Sequence, residues 1–468
     1  MNSSPLPEII INQFVKIAGK ESVITNPDEL ICYESDGLSM LKQMPPLVIL
    51  PNNKSEVVEL VKLCHKEKIP FVARGAGTGL SGGCLSYQDS VVISLIKLNH
   101  ILEVNYTDRY IVVESGIMNL TISNLTTPNG YFYAPDPSSQ TSCTIGGNVA
   151  ENAGGPHCLK YGTTTNHILG LEIVLPDGTI IKTGSKTGDS PGYDLTSLLV
   201  GSEGTFGIVT EVTARLVHVP HAYRTMLAVF DSIETATQAV SGVIASGIIP
   251  VALEMMDNTM LSAVEADLHF GFPLDAQAVL IVELDGIAAA LDSQATVVEE
   301  ICKKNSVREV RFARSDKERT LLWMSRKRAF GAIGRMTPSY LTLDGTVPRT
   351  KLAYAMTRVG EISKKYGLRV ANVFHAGDGN LHPCILYDER VPEVVQKMHE
   401  AGNEVMHLCA ELGGTISGEH GIGMEKSKFM PLIFSEEDLQ FMKKVKSIFD
   451  PLNICNPGKV FPEEKDMH

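Results

Sequence analysis

The sequence is short of several features that would have settled its class at once. It carries one tryptophan, and its nine cysteines are scattered, with no pair spaced as C-x-x-C. An odd, dispersed set of thiols argues against a disulfide framework, a zinc ribbon or a four-cysteine iron–sulfur site. Any electron transfer must then rest on an organic cofactor or on another chain. No run of about 18 apolar residues occurs, so no membrane span is expected. Basic residues are outnumbered, 41 Lys+Arg against 54 Asp+Glu, for a net charge of −13. Nucleic acid and anionic membrane call for the opposite balance and are not expected as primary partners. The first arginine is Arg74, and no basic stretch precedes the short apolar patch near the N-terminus. Neither a secretory signal nor an Arg-rich transit peptide is expected, and the cytoplasm is the default compartment.

What is present is an ordinary globular mixture, 44% hydrophobic and 20% charged over 468 residues. At roughly 100–200 residues per domain this fills several domains. Residues 1–40 read as a helical lead-in with a turn at Asn26-Pro27. Leu47 to Leu50 reads as a strand and Lys54 to Glu67 as an amphipathic helix. Ile69 to Ala73 and Val91 to Leu95 are further strands, on either side of a glycine-rich stretch. From Ala134 to Gly162 regular pattern is lost. A loop that long inside a compact domain is usually functional. Pro176-Asp177-Gly178 marks a hairpin, and Thr205 to Val219 reads as strand. Beyond Pro220, strands (Met226 to Val229, Ala278 to Leu284) alternate with helices (Ile233 to Ser246, Ala288 to Lys304). The fold class is α+β, in segments 1–40, 41–220, 221–350 and 351–468.

Three stretches carry chemistry. In the first, Arg74-Gly75-Ala76-Gly77-Thr78-Gly79-Leu80-Ser81-Gly82-Gly83, five glycines fall within the nine residues from Gly75. Without side chains, successive backbone N–H groups can face an anion at close range, and a diphosphate is the natural guest. Gly77, Gly79 and Gly82 satisfy G-x-G-x-x-G. A nicotinamide-binding Rossmann unit would require a helix immediately afterwards. Gly83 to Ser90 has no helical stripe and a strand follows, so that reading is rejected. The second stretch runs from Pro135-Asp136-Pro137 through Thr144-Ile145-Gly146-Gly147-Asn148 to Gly154-Gly155.

These loops, with Gly201-Ser202-Glu203-Gly204-Thr205-Phe206-Gly207-Ile208, resemble flavoproteins of the vanillyl-alcohol-oxidase class. The resemblance implies a two-subdomain FAD-binding domain, followed by an α+β substrate (cap) domain and a C-terminal segment. It implies FAD contacts from Arg74, Gly75, Ala76, Gly77, Thr78, Gly79, Pro135, Ser142, Gly146, Asn148, Gly155 and Ile208. Relatives with covalent FAD use a His or Cys in these loops. Here only Cys84, His157 and Cys158 are near, and dissociable FAD is expected.

The third stretch is the strongest. In Asn372-Val373-Phe374-His375-Ala376-Gly377-Asp378-Gly379-Asn380-Leu381-His382-Pro383, two histidines bracket a tight turn that can fold both rings toward one point. Further on stands Gly418-Glu419-His420-Gly421-Ile422-Gly423. Two histidines and a carboxylate (His375, His382, Glu419) make a divalent-metal site with open positions, suited to zinc, manganese or iron. His420 is then available as a base, with an ordinary pKa of about 6.5. Asp378 is read as a turn former.

These motifs, with Asp344-Gly345-Thr346-Val347-Pro348-Arg349 and Asn456-Pro457-Gly458-Lys459, resemble the FAD-linked D-2-hydroxyacid dehydrogenases over nearly the whole chain. The resemblance is greatest to the flavin subunit of bacterial glycolate oxidase and to D-lactate dehydrogenases. It implies the same metal ligands and His420 as the catalytic base. A 2-hydroxy acid also needs a cation for its carboxylate, and the arginine fork is favoured. Trp323-Met324-Ser325-Arg326 resembles the family segment whose arginine takes that role, so Arg326 is chosen over Lys327, Arg328 and Arg335. D-2-hydroxyglutarate enzymes hold a second carboxylate with a threonine and a lysine. The matching positions here are Phe330 and Thr342, which favours a monocarboxylate such as glycolate or D-lactate. The resemblance further implies an iron–sulfur or second flavin subunit as electron acceptor, through which the chain could sit peripherally at the inner membrane. A D-2-hydroxyglutarate-type enzyme, a non-catalytic FAD-binding subunit, a flavin reductase of sugar nucleotides and a flavin-free metal hydrolase are the alternative readings.

Overall fold

The computed structural model describes residues 6–87, 89–188 and 191–463. Gln88 and the first five residues of the expected lead-in lie outside them. The described chain divides into two compact units: 1–155 with 162–219 and 419–468, and 156–161 with 220–418. One division lies beside the expected 220/221 boundary. None falls at 40/41 or 350/351; the lead-in packs into the core of the first unit through Ile10, Phe14 and Ala18.

Among the described residues the first unit holds a two-stranded ribbon of Tyr131–Phe132 and Val217–His218 and two larger sheets. In the smaller, strands Val23–Ile24, Val48–Ile49, Val91–Ser94 and Phe71–Arg74 lie in that order. Val91–Ser94 runs parallel to both of its inner neighbours. Helix Lys54–Glu67 forms as its pattern predicts, capped by Asn53, whose side chain accepts the Glu56 N–H. It buries Val57, Leu60, Val61 and Cys64 in a core shared with Phe71, Ile93 and Ile208. The larger sheet is antiparallel: Ile101–Asn105, Tyr110–Glu114, Ile208–Arg215, Ile168–Val174 and Ile180–Gly184. Its last two strands flank the Asp-Gly turn expected there.

The tail of the chain returns to the smaller sheet. Phe71 donates its N–H to Ile454 O at 2.8 Å, and its own carbonyl accepts the Asn456 N–H at 2.8 Å. Asn456 Nδ2 then donates to Gly83 O at 3.0 Å and to Glu203 O at 2.7 Å. The Asn456-Pro457-Gly458-Lys459 motif thus ties the end of the glycine loop to the Glu203 turn.

The second unit is built on one eight-stranded antiparallel sheet. Its path runs Glu309–Phe312, Ala222–Phe230, Ala278–Gly286, Ala252–Asp257, Arg369–His375, Asn380–Tyr387 and Ser339–Thr342, with Gly345–Thr346 paired onto Asn380–Tyr387. The central strands are buried along nearly their whole length. Helix Asn258–Leu268 and the residues Leu322 to Ile333 pack on the face that carries Leu227, Met256, Ile281 and Val373. The same side-chain parity brings Glu283, Glu254, His375 and His382 to that face, because Ala252 opposes Glu283, Glu254 opposes His375 and Val373 opposes His382.

Candidate active site

In the first unit the Arg74–Gly83 loop leaves the C-terminal end of a parallel strand, the usual place for a ligand on such a sheet. Among the described residues no helix follows it before strand Val91–Ser94. Among the described residues, the backbone N–H groups of Gly75, Ala76, Gly77, Thr78 and Gly79 donate to no protein acceptor. Ala76 is exposed. The buried hydroxyls of Ser81 and Ser115 also lack a hydrogen-bond partner among the described residues. A row of amides without acceptors, with orphaned hydroxyls beside it, fits a diphosphate-bearing cofactor.

Arg74 props this loop from below. Its Nη2 donates to Ser35 O at 2.8 Å, and its Nη1 contacts Cys84 Sγ at 3.2 Å. Gly77 lies against the guanidinium in a left-handed conformation (φ 70°), where an added Cβ would sit 2.2 Å from Nη2. Gly75 is equally tight against Thr144 Oγ1. Burial pushes the Cys84 thiol up to about 11, which leaves it protonated and a poor nucleophile for a covalent link. His157 and Cys158 belong to the second unit, where His157 packs 5.0 Å from Trp323.

The second glycine stretch is more ordered than its composition predicts. Thr144 accepts the Gly147 N–H and caps helix Ile145–Glu151, which buries Ile145, Asn148 and Val149. Asn119 joins two predicted residues by donating to Pro135 O at 3.0 Å and accepting from Asn148 Nδ2 at 2.9 Å. Gly146 and Gly155 are demanded by internal packing, since a Cβ would strike Ser115 and the Asp136 carbonyl respectively. Ser142 is exposed on a turn closed by its N–H to Ser139 O. Ile208 is a fully buried core residue.

In the second unit, hairpin Arg369–His375/Asn380–Tyr387 sets His375 and His382 on one face, their rings 5.2 Å apart and nearly perpendicular. Each presents a ring nitrogen within 4.8 Å of the other's. His375 Nδ1 lies 2.8 Å from Glu254 Oε1, and His382 Nδ1 lies 3.3 Å from Leu343 O. Both partners are acceptors, so Nδ1 carries the proton in each ring and Nε2 is the nitrogen for a metal. This is the usual outer-shell arrangement of ligating histidines. A pair of such imidazoles with carboxylates at hand fits a borderline divalent cation. Burial would raise the Glu254 carboxyl, but the Arg326 charge and the hydrogen bonds from His375 and Arg326 hold it below its ordinary range.

Arg326 lies in the last turn of helix Asp316–Lys327 and is 1% exposed, whereas Lys327 and Arg328 face solvent and Arg335 pairs with Asp267. It is not an unpaired cation. Its Nε donates to Glu254 Oε2 at 2.6 Å, and among the described residues that is the guanidinium's only hydrogen bond. Phe330 stands beside both groups, its ring 6.0 Å from the guanidinium carbon and 6.3 Å from the His382 ring. Thr342 Oγ1 contacts Cys384 Sγ at 3.6 Å.

Sequence reasoning missed two carboxylates here. Glu254 carries no motif. Asp344 was quoted only within a longer stretch, yet it is fully buried, accepts the Ser417 hydroxyl at 2.7 Å and the Gly418 N–H at 3.1 Å, and lies 4.0 Å from His382. Gly418 also needs its missing side chain, because a Cβ would meet the Asn380 side chain at 2.5 Å. The unit division falls at the next peptide bond, so Glu419 and His420 belong to the first unit. There Glu203, at φ 52°, accepts the N–H groups of Ile422 at 2.7 Å and Gly423 at 2.6 Å and sets the turn after His420.

Two family models match the chain: an FAD binding domain over residues 45–184 and the C-terminal domain of FAD linked oxidases over 219–460. The glycolate oxidase subunit GlcD of Escherichia coli (strain K12) is 46% identical over 94% of this chain and 88% of its own length. GlcD of Bacillus subtilis (strain 168) is 38% identical over 97% and 96%. A mitochondrial D-lactate dehydrogenase [cytochrome] of Arabidopsis thaliana is 30% identical over 98% and 81%. Among solved structures, p-cresol methylhydroxylase superposes with a TM-score of 0.80 at 16% identity, covering 97% of this chain and 96% of that one.

Proposed function

The chain belongs to the FAD-linked oxidases, and from that premise we propose that it oxidises a small 2-hydroxy monocarboxylate, glycolate or D-lactate, to the 2-oxo acid. The α+β architecture of the vanillyl-alcohol-oxidase type expected from the loops is the one found. FAD, when bound, supplies the acceptor for the hydride that leaves C2 of the substrate. A divalent cation, when bound, would lower the pKa of the substrate hydroxyl.

The chain's own residues do the rest. Amides of Gly75 to Gly79, with Arg74 behind them, serve the cofactor diphosphate, and Pro135, Ser142, Gly146, Asn148, Gly155 and Ile208 complete the cofactor-binding set. FAD is held without a covalent bond: Cys84 is a buried, protonated thiol. His375, His382 and Glu419 hold the cation, zinc, manganese or iron. Glu419 follows directly on Gly418, whose N–H is held by Asp344. Arg326 binds the substrate carboxylate with the guanidinium N–H groups that Glu254 does not use. Phe330 beside it offers neither charge nor hydrogen bond, which disfavours a second carboxylate and hence 2-hydroxyglutarate. His420 takes the hydroxyl proton as C2 gives up its hydride.

The observation that carries this reading is the pair of buried histidines with both Nδ1 atoms committed to acceptors, linked through Glu254 on the next strand to a buried arginine. A non-catalytic FAD-binding subunit would have no use for that arrangement. The reduced flavin must pass its electrons on, and an iron–sulfur or second flavin subunit is the proposed acceptor, since the likeness to subunits named for glycolate oxidase points to an assembly. Among the described residues, no helix is long and apolar enough to cross a membrane. Substituting His420→Ala tests the base: turnover of glycolate and D-lactate should vanish while FAD stays bound. Near-normal turnover would remove His420 from the reaction.

A further inference from the structure

We propose that Glu254 is a positioning residue that serves two functions with one carboxylate, setting the His375 imidazole for the cation and the Arg326 guanidinium for the substrate. The inference rests on the reading that His375 ligates a metal and that Arg326 binds the substrate carboxylate. No motif marks Glu254; its place follows from strand register. It stands directly opposite His375 on the neighbouring strand, and such pairs hold their side chains within about 5 Å. Both Glu254 and Arg326 are 1% exposed.

Each carboxylate oxygen has its own task. Oε1 takes the His375 Nδ1–H at 2.8 Å and Oε2 takes the Arg326 Nε–H at 2.6 Å. The first bond selects the tautomer that directs the Nε2 lone pair to a cation. The second uses the edge of the guanidinium that bears Nε and leaves the terminal N–H groups as a fork for a carboxylate. The carboxylate also puts a negative charge beside the arginine and the ligating histidine, which offsets the repulsion a dication would otherwise meet from Arg326.

Nearby Glu283 shows what a purely structural carboxylate looks like on this face. It accepts from Arg319 Nε at 2.8 Å and Nη2 at 2.7 Å, from Trp323 Nε1 at 2.8 Å and from Thr225. All of these are internal donors; Arg319 and Trp323 anchor the helix that carries Arg326, and Thr225 is the facing residue on the next strand. Glu254 instead bonds only groups that face the reaction.

The test uses the full FAD-loaded chain, stripped of metal by a chelator and titrated with Zn2+ in a calorimeter. Wild type should bind. Glu254→Gln, which keeps one acceptor and loses the charge, should weaken Zn2+ binding about 10–100-fold, as removal of such outer partners does. With metal saturating, it should also raise KM for glycolate. Glu254→Asp, which keeps the charge but cannot span both donors, carries the test should the Gln variant not fold. Variants that melt at lower temperature yet bind Zn2+ as wild type does would overturn the proposal and leave Glu254 a structural ion pair. A wild-type chain that binds no divalent cation would instead overturn the metal reading, and this inference with it.

Discussion

Glu283 shows how a single buried carboxylate can make stability depend on pH. Burial alone would raise its pKa, but His157 3.9 Å away, hydrogen bonds from Arg319 and Thr225 and the arginine charge bring it down to about 2. Its pKa is depressed on folding from an ordinary value of about 4.3. The stabilisation it provides is therefore complete above that value and is lost as pH falls toward 2. Urea midpoints of the wild type should decline through this window. Glu283→Gln should flatten that decline and lower stability at neutral pH by about 3–5 kcal/mol, since Arg319 is left without its charge partner. An unchanged acid slope in the variant would refute the assignment. The same scale shows what a sequence conceals. His375 and His382 were legible because they stand seven positions apart across a glycine turn. Glu254 and Asp344 were not, because a carboxylate acquires its role from whatever the fold sets opposite it.

At the scale of elements, legibility followed periodicity. Helix Lys54–Glu67 has a clean apolar stripe and an Asn cap, and it forms over the residues the pattern marks. Helix Ile145–Glu151 was read as loop because Gly146 and Gly147 occupy its first turn; a threonine cap and buried Ile145 and Val149 outweigh their poor propensity. The glycine spacing of Arg74–Gly83 suggests a cradle, and the resemblance names Arg74 as a cofactor contact; that Arg74 props the loop through Ser35 and Cys84 is not legible in the sequence. Gly77→Ala should disturb both: a left-handed alanine costs about 1 kcal/mol, and its Cβ would displace Arg74 Nη2. FAD bound per chain after gel filtration should fall markedly. The control is Gly130→Ala, which has a similar φ of 81° and open space around it, and it should retain FAD. Equal retention by both variants would show that the loop does not hold the cofactor.

At the scale of the molecule, the sequence reads as consecutive segments, whereas the first unit is assembled from three separated pieces. Residues 419–468 return to the sheet at Phe71 and bring Glu419 and His420 with them. Hydrophobic pattern reports order along the chain and not which strand edge a tail will rejoin, so this return was illegible. The Asn456 motif was recognised only as a resemblance, and its physical content is the pair of bonds to Gly83 and Glu203. For the whole chain we propose a metal-assisted transfer of hydride from a 2-hydroxy acid to FAD. Its most direct test is an anaerobic titration of the flavin spectrum with glycolate and D-lactate, before and after removal of divalent metal. The metal-replete protein should bleach with one or both acids, and the chelated protein should retain FAD but no longer bleach. A replete flavin that no 2-hydroxy acid reduces, or one that bleaches equally well without metal, would contradict it.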